Sequence, residues 1–185
     1  ETRARFPAVD HVVHYEKHEE PEYAIRELIT GQSRLDGEEF SNLPAARQDL
    51  LPMSKYDLPL IGRGYTFVLT SRGCPWKCIY CRQTVTWKSR VRYRTPESIV
   101  REIQRYQLTN IAFHADTATV NKQQMLAICT GIAALPWSVR WVCNSRVDTV
   151  DQEMLAAMKS AGCWMICFGV ESGDDLVLKM NKKEA

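Results

Sequence analysis

From Gly64 onward the chain alternates strand-like and helix-like segments, and this rhythm restricts its fold more than any other feature. Tyr65 to Thr70 is β-branched and aromatic, as strands are. Thr95 followed by Pro96 reads as a helix cap and first helical position, with Ile99, Val100 and Ile103 forming the apolar face. Ile111 to Ala115 is the next strand. Asn121 caps a second helix that points Met125, Ile128, Cys129 and Ile132 inward. Trp137 to Cys143 is a third strand. Asp151 caps a third helix with Met154, Leu155 and Met158 inward, and Gly162 stops it. Cys163 to Val170 is a fourth strand, and Gly173 to Met180 begins a fourth helix. The alternation predicts an α/β fold: a parallel sheet with right-handed crossovers. Four such units do not close an eight-unit barrel, which takes ~250 residues. The expected architecture is therefore a partial (β/α) TIM-like barrel or an open sheet.

The first 62 residues have a different texture. Val9-Asp10-His11-Val12-Val13 is strand-like. Pro21 to Ile29 is helical, with Ile25, Leu28 and Ile29 on one face and Gly31 as its stop. Residues 33–62 are punctuated by Pro44, Pro52 and Pro59 and read as a linker over a surface. The expected division is 1–32, 33–62 and 63–185. The net charge of +2 gives no case for a nucleic-acid partner. No run of ~18 apolar residues predicts a membrane span. The N-terminal stretch lacks an initiator Met and an apolar signal core, so a partial or trimmed chain is expected.

The chain holds seven cysteines, an odd number that suits a reducing, cytoplasmic setting better than a disulfide framework. Three of them, Cys74, Cys78 and Cys81, lie in the loop Ser71-Arg72-Gly73-Cys74-Pro75-Trp76-Lys77-Cys78-Ile79-Tyr80-Cys81, directly after the first strand. Active sites of parallel α/β folds lie at the C-terminal ends of strands. Three close thiolates can each hold one iron of a cubane cluster, which usually takes four cysteines. No fourth Cys sits at local spacing, so one iron would stay open to a substrate. A structural zinc site remains an alternative, with Cys163 and Cys167 as a distant second pair. So does a set of three unrelated buried cysteines.

The CxxxCxxC spacing with Tyr80 before the last Cys resembles the radical S-adenosylmethionine (radical SAM) superfamily. Trp141 to Asp148, Ala161-Gly162-Cys163 and Phe168-Gly169-Val170-Glu171-Ser172-Gly173 extend that resemblance to its cobalamin-dependent branch. The resemblance implies a radical SAM barrel preceded, at 1–32, by the remnant of a flavodoxin-like cobalamin-binding domain. The ligating motif Asp-x-His-x-x-Gly is not in this sequence and would lie upstream. It implies a 4Fe–4S cluster on Cys74, Cys78 and Cys81, S-adenosylmethionine, and cobalamin in the full-length protein. A small-molecule substrate and an external one-electron donor such as flavodoxin or ferredoxin are implied too. The implied reaction is reductive cleavage of S-adenosylmethionine, then methyl transfer to an unactivated carbon. A cobalamin-independent cyclisation or oxidation, or a non-catalytic zinc or iron–sulfur module, are the other readings.

Strand parity supplies candidates around the loop. In the fourth strand Trp164, Ile166, Phe168 and Val170 share one face, suited to packing under helices. Cys163, Met165, Cys167, Gly169 and Glu171 share the other, expected to face the barrel interior. In the second strand Ile111 and Phe113 oppose Ala112, His114 and Asp116. Two acids thus reach the rim that carries the cysteine loop. By resemblance, Glu171 and Asp116 bind the amino group of S-adenosylmethionine, although His114-Ala115-Asp116 stands where relatives often carry a Gly-Gly-Glu-like segment. Ser172 supports the same ligand, Arg146 pairs with the methionine carboxylate, and Ile79 and Tyr80 flank the adenine. Structural readings stand beside these: Glu171 as a helix N-terminal acid, Asp116 as a turn acid, Arg146 as a surface ion pair with Asp148, and His114 as an interior residue. Cys129, Cys143 and Cys167 read as core. Arg82, Lys88, Arg90, Arg92 and Arg94 read as a solvated face or an anion contact.

Overall fold

The computed structural model describes residues 45–83 and 91–183. The strand at Val9–Val13, the helix at Pro21–Ile29, the domain expected at 1–32, Lys88 and Arg90 lie outside the described residues. All described residues fall in the second of two units, Phe40–Ala185.

Among the described residues the first strands are two short ones, β1 (Asp57–Leu58) and β2 (Gly62–Arg63), paired antiparallel. The turn between them sets Leu60 at φ 68° and Gly62 at φ 108°, a left-handed region that glycine enters without steric cost. The sequence reads as linker here. Instead Leu58 and Ile61 pack with Met165 against buried Tyr65, Ala112 and Val142. Two apolar residues spaced by a turn carry no strand or helix period, so the contact leaves no mark in the sequence.

The main sheet is parallel, in the order β3 (Thr66–Leu69), β6 (Asn110–His114), β7 (Arg140–Ser145), β8 (Cys163–Phe168). A small antiparallel ribbon, β4 (Ser71–Arg72) with β5 (Arg92–Tyr93), brackets the segment that begins with the cysteine loop. From Tyr93 onward, helices alternate with the strands: α1 (Pro96–Arg105), α2 (Lys122–Ala133), α3 (Gln152–Ser160) and α4 (Asp175–Met180). Sequential strand order with helical crossovers is the first half of a barrel, as the alternation predicts. The third strand starts at Arg140 rather than Trp137: pairing with β6 begins where the Arg140 N–H meets the Thr109 carbonyl at 2.7 Å, and Trp137 instead packs before the strand with its indole N–H on the Leu108 carbonyl at 3.1 Å.

Each helix starts where its cap places it. Thr95 accepts from the Ser98 N–H, Asn121 from Gln124 and Asp151 from Met154. Asp174 accepts from Leu176 and Val177. Such caps contribute ~1 kcal/mol each. The helix-side core joins Val68, Ile111, Phe113 and Trp141 to Ile99, Ile103, Met125, Ile128, Met154 and Met158. Full burial of each large side chain contributes ~1.5–3 kcal/mol. Cys129 and Cys143 lie in this core, as expected. Leu155 does not: it is 38% exposed, one residue off the Met154–Met158 stripe, and borders an open groove along β8.

The parity expected for β8 fails at its start. A register irregularity there pairs Trp141 with Cys163 but Val142 with Met165, leaving Trp164 as an extra residue. Beyond such a bulge, side chains switch faces relative to those before it. Cys163 therefore packs against the helix-side core with Ile166. Trp164 turns to the other face, where its indole N–H donates to the Tyr65 hydroxyl at 2.9 Å and Arg140 stacks on its ring.

Gly162 ends α3 at φ 92°, and a Cβ there would lie 1.9 Å from the Val139 carbonyl oxygen. Gly162→Ala is expected to destabilise the protein by ~2 kcal/mol, since alanine resists positive φ and the backbone must move. Thermal unfolding with native α3 helicity and unchanged Tm would disprove this.

Candidate functional site

The C-terminal ends of β3, β6, β7 and β8 deliver the predicted residues to one rim, each on the segment just past its strand. Gly73, at φ 95°, turns the chain into the cysteine loop. Its N–H donates to Asp116 Oδ2 at 2.6 Å. Asp116 thus holds the root of the loop, and its own carbonyl accepts from Asn144 Nδ2 at 3.0 Å. Three strands are tied at this point. The neighbouring Thr117 places its hydroxyl 3.9 Å from Cys74 Sγ.

Cys78 is buried, whereas Cys74 and Cys81 are partly exposed. Cys81 N–H donates to the Cys78 carbonyl and Ile79 N–H to the Asn181 carbonyl at the end of α4, both at 3.1 Å. Burial pushes the Cys74 thiol up, and negative charge on Cys81 or Asp116 would add to that. Tyr80 is half-exposed, and partial burial followed by the Cys78 sulfur pushes its hydroxyl up. Among the described residues, no three His, Cys, Asp or Glu side chains are grouped as metal ligands would be.

Arg146 leaves the end of β7 and is buried beneath the loop at 5% exposure. Its Nε and NH2 donate to the two carboxylate oxygens of Asp148 at 2.9 and 2.7 Å. Its NH1 lies 3.9 Å from Cys78 Sγ. The guanidinium stacks 4.4 Å from the centre of the Trp76 ring. Asp148 holds the Arg146 pKa above its ordinary value, and Arg146 holds the Asp148 carboxyl below its own. The pair with Asp148 forms, but as a largely buried bidentate contact rather than a surface one.

Glu171 follows β8 at φ 64° and accepts from Lys183 Nζ at 3.1 Å. Lys183 is buried. The next helix, α4, is capped by Asp174, not by Glu171. Ser172 Oγ accepts from the Asp174 N–H at 3.1 Å, which shapes the turn into α4. His114 is exposed rather than interior, with its ring edge-on to Phe67 at 6.3 Å. Cys167 is exposed as well. The basic stretch divides: Arg82 is exposed, but Arg94 is buried against Glu102.

Trp76, Thr117 and Lys183 join the site without a role expected from the sequence, and Asp148, expected as a surface partner of Arg146, joins as its largely buried one. Trp76 carries a usable signal: a large aromatic between two cysteines of a polar loop has no core to fill. Lys183 carries none, because α4 brings it back to the rim from outside any motif.

The donor set fits an iron–sulfur cluster by its chemistry. Three soft thiols share one eight-residue loop, and a buried guanidinium lies beside that of Cys78 to offset thiolate charge. Residues 68–185 match the family model described as the Radical SAM superfamily. An uncharacterized methyltransferase of Pyrococcus horikoshii is 33% identical over 141 residues, covering 74% of this chain and 30% of that protein. The anaerobic magnesium-protoporphyrin IX monomethyl ester cyclase of Cereibacter sphaeroides is 28% identical over 180 residues, covering 86% of this chain and 29% of that protein. The chain thus spans under a third of the length of these curated relatives. Among solved structures, the cobalamin-dependent S-adenosylmethionine radical enzyme OxsB superposes with TM-score 0.56 at 22% identity, over 66% of this chain and 20% of that one. The radical S-adenosylmethionine methyltransferase TsrM from Kitasatospora setae, with cobalamin and a 4Fe–4S cluster bound, superposes with TM-score 0.57 at 18% identity, over 62% and 24%.

Proposed function

The chain belongs to the radical SAM superfamily, and from that premise we propose that it forms the cluster-binding half of a barrel that cleaves S-adenosylmethionine reductively. The observation that carries this reading is the Cys74–Cys81 loop, rooted through Gly73 to Asp116 on the strand-end rim that also bears Arg146 and Glu171. Cys74, Cys78 and Cys81 would hold the cluster. Held there, a reduced 4Fe–4S cluster would supply the one electron for cleaving S-adenosylmethionine to methionine and a 5′-deoxyadenosyl radical able to take a hydrogen atom from the substrate.

The residues around the loop do the positioning. Asp116 fixes the loop's entry and sits beside the place where a ligand would meet the cluster. Glu171 accepts the positive amino end of S-adenosylmethionine in exchange for Lys183, and Ser172 holds the turn on which Glu171 is carried. Tyr80, half-exposed next to Cys78, covers the adenine. Arg146 lines the floor of the site.

The overall reaction we propose is cobalamin-dependent methyl transfer to an unactivated carbon of a small molecule, by likeness to relatives named as methyltransferases. The cobalamin-ligating motif Asp-x-His-x-x-Gly is not in this sequence, so no residue here is assigned to cobalamin and no step is drawn through it. Relatives named as cyclases favour ring closure as the second reading. Residues 1–32 are proposed as the end of a cobalamin-binding domain, 33–62 as the connection and 63–185 as the radical SAM portion. Flavodoxin or ferredoxin is the proposed electron donor, in a cytoplasmic setting. Among the described residues no helix is long and apolar enough to cross a membrane.

The test is anaerobic: supply iron and sulfide, reduce, add S-adenosylmethionine and measure 5′-deoxyadenosine. Four irons per chain and reductant-dependent 5′-deoxyadenosine are expected. Zinc in place of iron in protein purified without oxygen would overturn the enzyme reading in favour of a structural module.

A further inference from the structure

We infer that Arg146 is a positioning residue for the cluster, acting on it through Cys78 and Trp76 rather than through the carboxylate of S-adenosylmethionine. The inference rests on the reading of Cys74, Cys78 and Cys81 as cluster ligands and goes one step beyond it.

The geometry of the guanidinium carries the argument. An Arg fork grips a carboxylate with two parallel N–H groups. Here the Nε–NH2 edge is already bonded to both oxygens of Asp148, at 2.9 and 2.7 Å. The other two-donor edge, NH1–NH2, is the one whose NH1 is turned to the cysteine loop. NH1, at the far end, is the group that reaches Cys78 Sγ. The Trp76 ring covers the guanidinium face at 4.4 Å. Trp76 lies midway between Cys74 and Cys78 in the sequence, so the stack fixes the loop between two of its ligands.

The backbone beneath is equally held. The Arg146 carbonyl accepts from Ser145 Oγ at 3.1 Å and Thr149 Oγ1 at 2.8 Å. Thr119 joins both hydroxyls from the β6 side. This hydroxyl cluster holds the backbone from which the Arg146 side chain departs. A surface arginine would be hydrated and weakly coupled. At 5% exposure its charge acts in a low dielectric.

The consequence is electrostatic. Reduction adds a negative charge to a cluster, and an N–H directed at a ligand sulfur stabilises that charge, so hydrogen bonds to the sulfurs help set the potential. Asp148 opposes this by offsetting the guanidinium. Arg146 and Asp148 therefore form a matched pair whose two halves pull the potential in opposite directions.

The experiment measures the reduction potential of the reconstituted cluster by titration followed by electron paramagnetic resonance. Arg146→Gln is expected to shift the reduction equilibrium about tenfold toward the oxidised form, ~59 mV for one electron. Asp148→Asn keeps the guanidinium and removes its counter-charge, so its potential is expected to move the other way. Trp76→Leu is expected to weaken iron retention, and Trp76→Phe to restore most of it. A residue that only supported the fold would move neither potential. Full iron loading with wild-type potentials in both Arg146→Gln and Asp148→Asn overturns the inference. If Arg146→Gln holds no iron, Asp148→Asn decides: an unchanged or more negative potential overturns it. A wild-type protein that takes up no iron defeats the cluster reading itself and is a different result.

Discussion

Replacing Cys78 by alanine is expected to abolish iron loading and, with it, 5′-deoxyadenosine formation. Cys78 differs from its two companions in being buried and in facing Arg146 at 3.9 Å. Its loss removes one ligand of three and leaves a buried guanidinium opposite an apolar methyl group. Changes one shell further out already cost ~10–100-fold in metal affinity or activity. Loss of a ligand should exceed that, so a fall of at least ~100-fold in 5′-deoxyadenosine is the expected result. Cys74→Ala and Cys81→Ala should behave alike, because no fourth cysteine stands nearby to substitute. Cys167→Ala is the control: this thiol is exposed and should leave iron content and product unchanged. Four irons and wild-type product in Cys78→Ala would show that the ligands are elsewhere.

The parts of this molecule governed by short-range chemistry were legible in its sequence. Thr95, Asn121 and Asp151 announce three helices because a cap needs only its own side chain and the next turn. The faces of β6 follow simple alternation, with Ile111 and Phe113 on the helix side and Ala112 opposite. Alternation fails in β8 because its bulge is a property of pairing with β7, which the β8 residues alone do not encode. The site divides in the same way. The thiols are spaced within one loop, so they could be found. Asp116 as the anchor of Gly73, and Lys183 as the partner of Glu171, depend on contacts 43 and 12 residues apart. Arg146 lies between these cases: its pairing with Asp148, two residues on, was foreseeable, but its burial under Trp76 was not.

Glu102→Ala is expected to be the most destabilising change outside the loop, by ~3–5 kcal/mol, since removing one partner of a buried ion pair leaves an uncompensated charge. Glu102 Oε2 lies 2.5 Å from Arg94 NH1, and the two side chains are 3% and 9% exposed. Arg94 does more than pair. It donates to the Leu69 carbonyl at 3.0 Å and the Ser98 carbonyl at 3.1 Å. Its backbone N–H bonds to the Thr70 carbonyl at 3.0 Å. Gln124 Nε2 closes the set by donating to the Thr70 and Arg94 carbonyls at 3.2 and 2.7 Å. Together they bind α1 and α2 to the end of β3, one residue before the ribbon that opens the cysteine loop. Without Glu102 the buried Arg94 charge is left uncompensated at that junction. Tm should fall by at least ~8 °C, and iron loading should fall with it even at temperatures where the protein stays folded. The double variant Arg94→Met with Glu102→Leu removes both charges and should recover most of the stability. It should not recover all of it, because the Leu69 and Ser98 carbonyls then lose their donors. A Glu102→Ala protein melting within about 2 °C of wild type would mean that Arg94 is held by its carbonyl contacts alone, and that the charge pair is incidental to the root of the loop.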